Sequence, residues 1–278
     1  MKKSRAGIVI SSILVTLGAF IMLYPLIWLI LATFKDNNAI FSTARLFPTS
    51  FSFDAYINGW KGSGQYTFTT YFMNTFKLVL PMVLFTVMSS ALVAYGFARF
   101  NFPGRKWLFG LMIATLMLPS SVLLIPRYVM FRDLGWLDTY LPLIVPTMFG
   151  LPFFIFMLVQ FFRGIPRELS EAATMDGCGS LRFFASILLP LSKPALFSAA
   201  MFQFMWSWND FFTPYIYINS VKNYPLALGL RMTIDTNAAV SWNNILAMAV
   251  VSILPMVLLF FFAQKYFVEG IATTGIKG

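Results

Sequence analysis

The sequence predicts an all-α membrane protein with six transmembrane helices and a polar cytosolic insert between the fourth and fifth. Three observations carry this. Of 278 residues, 59% are hydrophobic and 11% charged, and mean hydropathy is +0.76; a soluble domain carries roughly 25% charged residues. Six segments each hold about 20 mainly apolar residues, the length that crosses a bilayer as a helix. A moderately polar, helix-forming stretch, residues 163–193, lies between two of them.

The first segment, about Gly7 to Phe34, follows Met1-Lys-Lys-Ser-Arg. Its apolar run is too long for a secretory leader and no small-x-small cleavage pattern follows, so it reads as an uncleaved span with its N-terminus inside. Residues 35–70 are rich in Ser, Thr, Gly and aromatic residues, with Trp60-Lys-Gly-Ser-Gly at the centre; they read as a folded cap or an irregular lip outside the membrane. Residues 1–70 thus comprise a first helix and an outer loop. Residues 71–267 comprise a five-helix core, with spans at about Tyr71 to Ala98, Trp107 to Phe131, Tyr140 to Phe162, Pro194 to Ile218 and Asn244 to Phe267. Residues 268–278 form a short tail. An even number of spans puts both termini in the cytosol. The basic residues agree: of 20 Lys and Arg, 12 fall inside and 8 outside, with Arg99, Arg105 and Lys106 clustered in one short inner loop.

Several classes of function are excluded. The lone Cys178 permits no internal disulfide, and the absence of histidine removes imidazole metal sites and His-based catalysis. The net charge of +10 sits at the ends of apolar runs, where it anchors to anionic lipid; it does not form the basic, water-exposed face that nucleic acid requires. Prolines recur within the spans, at Pro25, Pro81, Pro119, Pro126, Pro142, Pro146, Pro152, Pro214 and Pro255. Each removes a helical hydrogen bond. They serve either as curvature for bundle packing or as bends around a cavity that opens and closes.

The insert has its own local grammar. Pro166 suits a first helical turn. Glu168 and Glu171 follow where carboxylates favour the macrodipole, and Ala172 and Ala173 are strong helix formers. Gly177 then stops the helix, glycine being able to adopt positive φ. A second amphipathic helix follows, with Leu181, Phe184, Ile187 and Leu188 at helical spacing and Pro190 at its end. The residues support two short helices at an angle, parallel to the membrane surface, with paired alanines that let another backbone approach. The alternative is an ordinary interfacial helix resting on the headgroups, which needs only an apolar face.

The insert resembles the EAA signature of permease subunits of binding-protein-dependent ABC importers. The pattern EAA-x3-G-x9-I-x-LP is matched at Glu171, Ala172, Ala173, Gly177, Ile187, Leu189 and Pro190. The resemblance covers nearly the whole chain. The runs Tyr95-Gly-Phe-Ala-Arg99-Phe and Trp206-Ser-Trp-Asn-Asp-Phe211, and the ending Phe267 to Gly278, are similar to the second, smaller permease of maltose-type and multiple-sugar importers. The resemblance implies the type I ABC importer permease fold, with the insert as a coupling helix docked on a cytosolic ATPase through Glu168, Glu171, Ala172, Ala173, Asp176, Gly177, Ile187, Leu189 and Pro190, Glu171 and Gly177 foremost. It implies, too, that the tail, through Glu269, Gly270 and Gly275, reaches between ATPase subunits. The implied partners are a homologous second permease, two copies of the ATPase, an extracytoplasmic solute-binding protein and a carbohydrate. The implied location is the bacterial plasma or inner membrane.

No G-x4-GK[ST] phosphate loop occurs in the chain, so ATP and Mg are expected in the partner ATPase, with no cofactor and no catalysis here. Of ten acidic residues only Asp210 falls inside an expected span, which disfavours an ion-coupled carrier. Polar residues inside spans suggest function. Trp206, Asn209, Asp210 and Thr213 fall at helical spacing, with Phe202 extending the stripe. An indole packs on a sugar ring while amide and carboxylate groups bind its hydroxyls. The alternative is that Asn209 and Asp210 satisfy neighbouring spans or form an outer gate while the tryptophans pack. Thr115, Thr147 and Gln160 are further path candidates, whereas Ser89 and Ser90 read as small residues for close helix packing. The leading expectation is an ATP-driven carbohydrate importer subunit working by alternating access, the cargo a di- or oligosaccharide. The alternatives are the same machine importing glycerol phosphate, a polyol or a peptide, or an ion-coupled carrier.

Overall fold

The computed structural model describes residues 5–42, 45–62, 65–235 and 240–274. Among these residues every regular element is helical. In chain order they are α1 (Arg5–Ala32), α2 (Ala39–Ser42), α3 (Asp54–Lys61), α4 (Phe68–Arg99), α5 (Arg105–Thr115), α6 (Leu124–Asp133), α7 (Leu141–Ile144) and α8 (Pro152–Gly164). They continue with α9 (Glu168–Met175), α10 (Ser180–Phe183), α11 (Leu189–Leu191), α12 (Lys193–Asn209), α13 (Phe212–Tyr217), α14 (Leu226–Asp235) and α15 (Trp242–Thr274).

Among the described residues, four stretches are each long and apolar enough to cross a membrane: Val9–Ala32, Phe68–Arg99, Leu141–Gly164 and Trp242–Gln264. These are the first, second, fourth and sixth expected spans. The third and fifth differ from expectation. The third breaks after Thr115, and a 3-10 turn at Ser120–Leu123 leads into α6. Pro119 is extended there, with no N–H to donate. The fifth stops at Asn209, because Asp210 takes an extended conformation before α13. Prolines separate by position. Pro25, Pro81 and Pro255 lie within continuous helices, whereas Pro142 and Pro152 open new ones.

The chain divides into two compact units. One comprises Met1–Thr70 with Gly229–Leu254. Here Asn37 ties distant backbone together: its Nδ2 donates to the Val240 carbonyl (2.9 Å), and its Oδ1 accepts from the Trp242 N–H (2.6 Å). Lys35 is buried, and its ammonium donates to the Arg45 carbonyl.

The other unit comprises Tyr71–Leu228 with Pro255–Gly278. Its main core joins α4, α8 and the insert through Ala91, Ala94, Tyr95, Ala98, Leu158, Phe162, Phe183 and Leu188. The alanine row of α4 lets helices approach closely, as small residues do in membranes. A second cluster gathers Leu78, Phe131, Leu143, Tyr217 and Ile218. The Leu141–Gly164 stretch is itself irregular at its middle. A 3-10 turn at Val145–Phe149 runs into Gly150, whose φ of 79° is left-handed, before Pro152 starts α8. Serines of α4 satisfy this break. The Ser89 hydroxyl donates to the Thr147 carbonyl (2.9 Å), and Ser90 Oγ accepts from the Leu151 N–H (3.2 Å). Their role is therefore more than small size.

Candidate functional site: the insert and the interrupted helices

Ile165 is extended before Pro166, as the pre-proline residue must be, and the chain turns into α9. Glu168 and Glu171 occupy its first turn. Its end is a Schellman motif: the Cys178 N–H reaches the Ala173 carbonyl (2.8 Å) and the Gly177 N–H reaches Thr174 (3.0 Å). Gly177 has φ 76°. A Cβ there would meet nothing within 4 Å, so glycine is required by backbone conformation, not by space. Asp176 is the C-cap.

The paired alanines divide: Ala173 is buried in the protein's own core and Ala172 is exposed. Only Ala172 is free to admit another backbone. The second helix also departs from expectation. Phe183, Phe184 and Leu188 are buried, Ile187 and Leu189 partly so, and Leu181 is 73% exposed. Phe183 is buried beside Phe184, which turns the inward face away from Leu181, and a π-helical turn follows over Phe184–Leu188. Pro190 does not end the helix, which continues through Leu191. A proline ring clashes with the carbonyl four residues earlier, here Ser186, and the wider π turn makes room for it. Ser180–Leu191 meets α12 at 79°, so this half of the insert runs nearly perpendicular to the helix it feeds.

Two residues of α4 bracket the insert. Tyr95 and Arg99, four apart on one helical face, reach its two ends: the Tyr95 hydroxyl donates to the Ser180 carbonyl (3.0 Å) and Arg99 Nη2 to the Ile165 carbonyl (3.0 Å). They line a pocket of about 430 Å³ with Glu171, Thr174 and Met175. In the sequence this pair stood only inside a familiar run. Its signal was a Tyr and an Arg at i, i+4 where an apolar helix ends. Met175, at 89% exposed, gives the otherwise polar insert a protruding apolar tip.

The second candidate region is α12 and the break beyond it. The expected stripe is interrupted: Phe202, Trp206 and Asn209 lie on α12, while Asp210 leaves the helix and Thr213 belongs to α13. Trp206 is half exposed and packs on Phe153 (5.1 Å) and Phe154 (5.3 Å) of α8, with Phe202 at 6.3 Å. Asn209 Nδ2 donates to its own helix at Met205, and Asp210 Oδ1 accepts the Thr213 N–H, which stabilises the start of α13. Thr115 and Thr147 hydroxyls both donate to carbonyls three residues back. Thr147 is buried, Thr115 and Gln160 exposed. Phe153 was not a candidate, and neither was Gln203, buried with its Nε2 donating to Ser207 and its Oε1 without a partner among the described residues. Glu269 and Gly270 lie on the last turns of α15, and Gly275 lies outside the described residues.

The fold is that of a helical protein with several stretches long and apolar enough to cross a membrane. The profile of the family described as binding-protein-dependent transport system inner membrane component matches residues 88–273. The chain belongs to that family. It is 33% identical to the arabinooligosaccharides transport system permease protein AraQ of Halalkalibacterium halodurans, over 100% of both chains. It is 34% identical to the probable ABC transporter permease protein YurM of Bacillus subtilis, over 92% of this chain and 84% of that one. It is 30% identical to the sn-glycerol-3-phosphate transport system permease protein UgpE of Agrobacterium fabrum, over 96% of each. In a solved bacterial ABC transporter that imports the acidic polysaccharide alginate, one chain shares the fold with a TM-score of 0.84. The two are 23% identical, over 96% of this chain and 99% of that one.

Proposed function

We propose that this permease subunit carries a di- or oligosaccharide across the bacterial plasma or inner membrane by alternating access. In this reading it pairs with a homologous second permease, two copies of an ATPase that bind ATP and Mg, and an extracytoplasmic solute-binding protein. Both termini and the insert face the cytosol. The observation that carries the coupling role is the insert's outward face. Glu171, Ala172 and Met175 on α9 and Leu181 on α10 are exposed on either side of the left-handed turn at Gly177. That face is shaped for a groove on another protein. Tyr95 and Arg99 give its motion a route into α4, because they join both ends of the insert to that helix. Carbohydrate as cargo rests on relatives named for arabinooligosaccharides and diacetylchitobiose. The half-exposed Trp206 beside Phe153 and Phe202 offers the ring face a sugar stacks on, and Asn209 lies on the same side of α12. Asp210 and Thr213 shape the turn beyond them. The relatives named for sn-glycerol-3-phosphate favour a second reading, with a smaller polar cargo in the same machine.

The test is uptake of labelled oligosaccharide by the importer reconstituted in vesicles. Glu171→Lys is expected to leave complex assembly intact and to lower ATP-driven uptake at least about tenfold, equivalent to about 1.4 kcal/mol of coupling. Uptake at the wild-type rate by an assembled Glu171→Lys complex would sink the coupling role. Uptake of glycerol phosphate with no uptake of oligosaccharide would replace the cargo.

A further inference from the structure

The segment between α1 and α4 exposes more aromatic surface than a water-facing cap tolerates. Phe47 and Phe51 are each 69% exposed, Phe53 66% and Ile57 54%. Two membrane-crossing helices fix the level at which these rings lie. Trp28, one turn before the end of α1, is 6.5 Å from Phe41, and Trp242, the first residue of α15, is 5.5 Å from the same ring. At about 1.5 Å per residue, Phe41 is folded back about 6 Å below the end of α1 at Ala32. Phe34, just past that end, contacts Phe51, Phe53 and Tyr56 at 5.4, 5.5 and 5.9 Å. On α3, a Cβ at Gly59 would stand 2.9 Å from the Asn244 carbonyl in the first turn of α15. Helix α3 is therefore seated where both α1 and α15 end their apolar runs.

The faces of α3 agree. At about 100° per residue, buried Ala55 and half-buried Gly59 share the side that meets α15, and Asp54, Asn58 and Lys61 centre about 110° to one side of it. Between them lies a flank of Tyr56, Trp60 and Ile57. The apolar arc is wider than the part that protein covers. A short helix with one polar and one apolar side, at the depth where aromatic rings concentrate, has the pattern of an interfacial helix.

We propose that residues 47–61 lie in the headgroup–acyl boundary of the bilayer, with Phe47, Phe51, Phe53 and Ile57 inserted in lipid. The segment is thus a membrane-resting collar on α1 and α15. This holds whichever solute the protein carries.

Photo-crosslinking tests it in the full-length protein, assembled with its partners in vesicles of phosphatidylethanolamine and phosphatidylglycerol. Benzoylphenylalanine replaces Phe51 or Ile57 in one set and Asn58 as the polar-face control; Phe47 is a further position should either of the first two fail to fold. Intact-mass analysis after irradiation is expected to show phospholipid adducts at positions 51 and 57, several-fold above position 58. Adducts equal at all three positions, or none at 51 and 57, overturn the proposal. Crosslinks from 51 and 57 to the second permease or to the binding protein overturn it as well, and reassign the rings to a protein interface.

Discussion

The turn at Gly177 and the loop at Asp138 each hold a residue in the left-handed region, at φ 76° and φ 60°, by opposite means. Gly177 is held locally, by bonds that close within five residues of one helix end. Asp138 is held from far away. Its Oδ1 accepts the Asn219 and Ser220 N–H groups (3.0 and 2.7 Å), its Oδ2 accepts the Ser220 hydroxyl, and its carbonyl accepts Asn223 Nδ2 (3.0 Å). These partners lie 81 to 85 residues along the chain. A glycine adopts positive φ at no steric cost. An aspartate there must be over-determined by its surroundings, and this knot supplies the determination. The insert turn is therefore a property of its own sequence, whereas the Asp138 knot needs two loops that the hydrophobic cluster of Phe131, Leu143 and Tyr217 holds together.

The difference can be broken from either side. The largest effect is expected from Asp138→Ala. It removes three accepted hydrogen bonds and leaves alanine in a left-handed conformation, at about 2–3 kcal/mol after allowance for water reaching the half-buried site. Thermal unfolding in detergent reads the loss, and adding Ser220→Ala to Asp138→Ala should cost little more. Acid acts on the same knot. Burial opposes ionisation of Asp138, yet the Ser220 hydroxyl and amide, the Asn219 amide and the Lys222 charge together hold its carboxyl below the ordinary 3.8. A depressed folded value means the stabilisation is complete above about pH 4 and is lost as pH falls through the folded value. Amide exchange at Asn219 and Ser220 should accelerate over that lower window, beyond the intrinsic pH trend, and stay at the intrinsic trend in the Asp138→Ala variant.

Gly177→Val comes next, at about 2 kcal/mol from placing a β-branched residue at positive φ. Its effect should stay within the insert, visible as faster exchange at Gly177 and Cys178 with global unfolding nearly unchanged. A global loss as large as that of Asp138→Ala would erase the contrast between local and distant determination. The smallest effect belongs to Ser90→Ala, about 1 kcal/mol for leaving the Leu151 N–H without its acceptor. It tests whether the break in the fourth apolar stretch is of the distant kind. Ser90→Thr, which keeps the hydroxyl, should restore the unfolding midpoint.

Legibility followed the same division. The apolar stretches at Val9–Ala32, Phe68–Arg99, Leu141–Gly164 and Trp242–Gln264 could be read because each needs only its own composition. The glycine stop at Gly177 could be read because a Schellman cap is written in six consecutive residues. Prolines announced that the third and fourth stretches would bend, but not which groups would satisfy the freed backbone; Ser89 and Ser90 looked like spacers until Thr147 and Leu151 were brought to them. A regular period through Phe184 and Leu188 puts Leu181 on the inner face, but Phe183 is the residue buried beside Phe184 and Leu181 lies out. In the Trp206 stripe the spacing was right through Asn209 and failed at Asp210, whose carboxylate stabilises the next helix. Phe153, the ring nearest Trp206, carried no signal in a chain with 32 phenylalanines.

The sequence by itself determined the solvent, the apolar stretches and the insert with its glycine turn, because burial in lipid and helix capping depend on neighbours within a few residues. Only the tertiary structure decided where helices break, which polar groups satisfy the breaks, and how Tyr95 and Arg99 bind the insert to α4. Those outcomes depend on hydrogen-bond partners 58 to 85 residues away. At the break in the fourth apolar stretch the reason is the medium: where lipid excludes water, an unpaired backbone group must find its partner inside the protein.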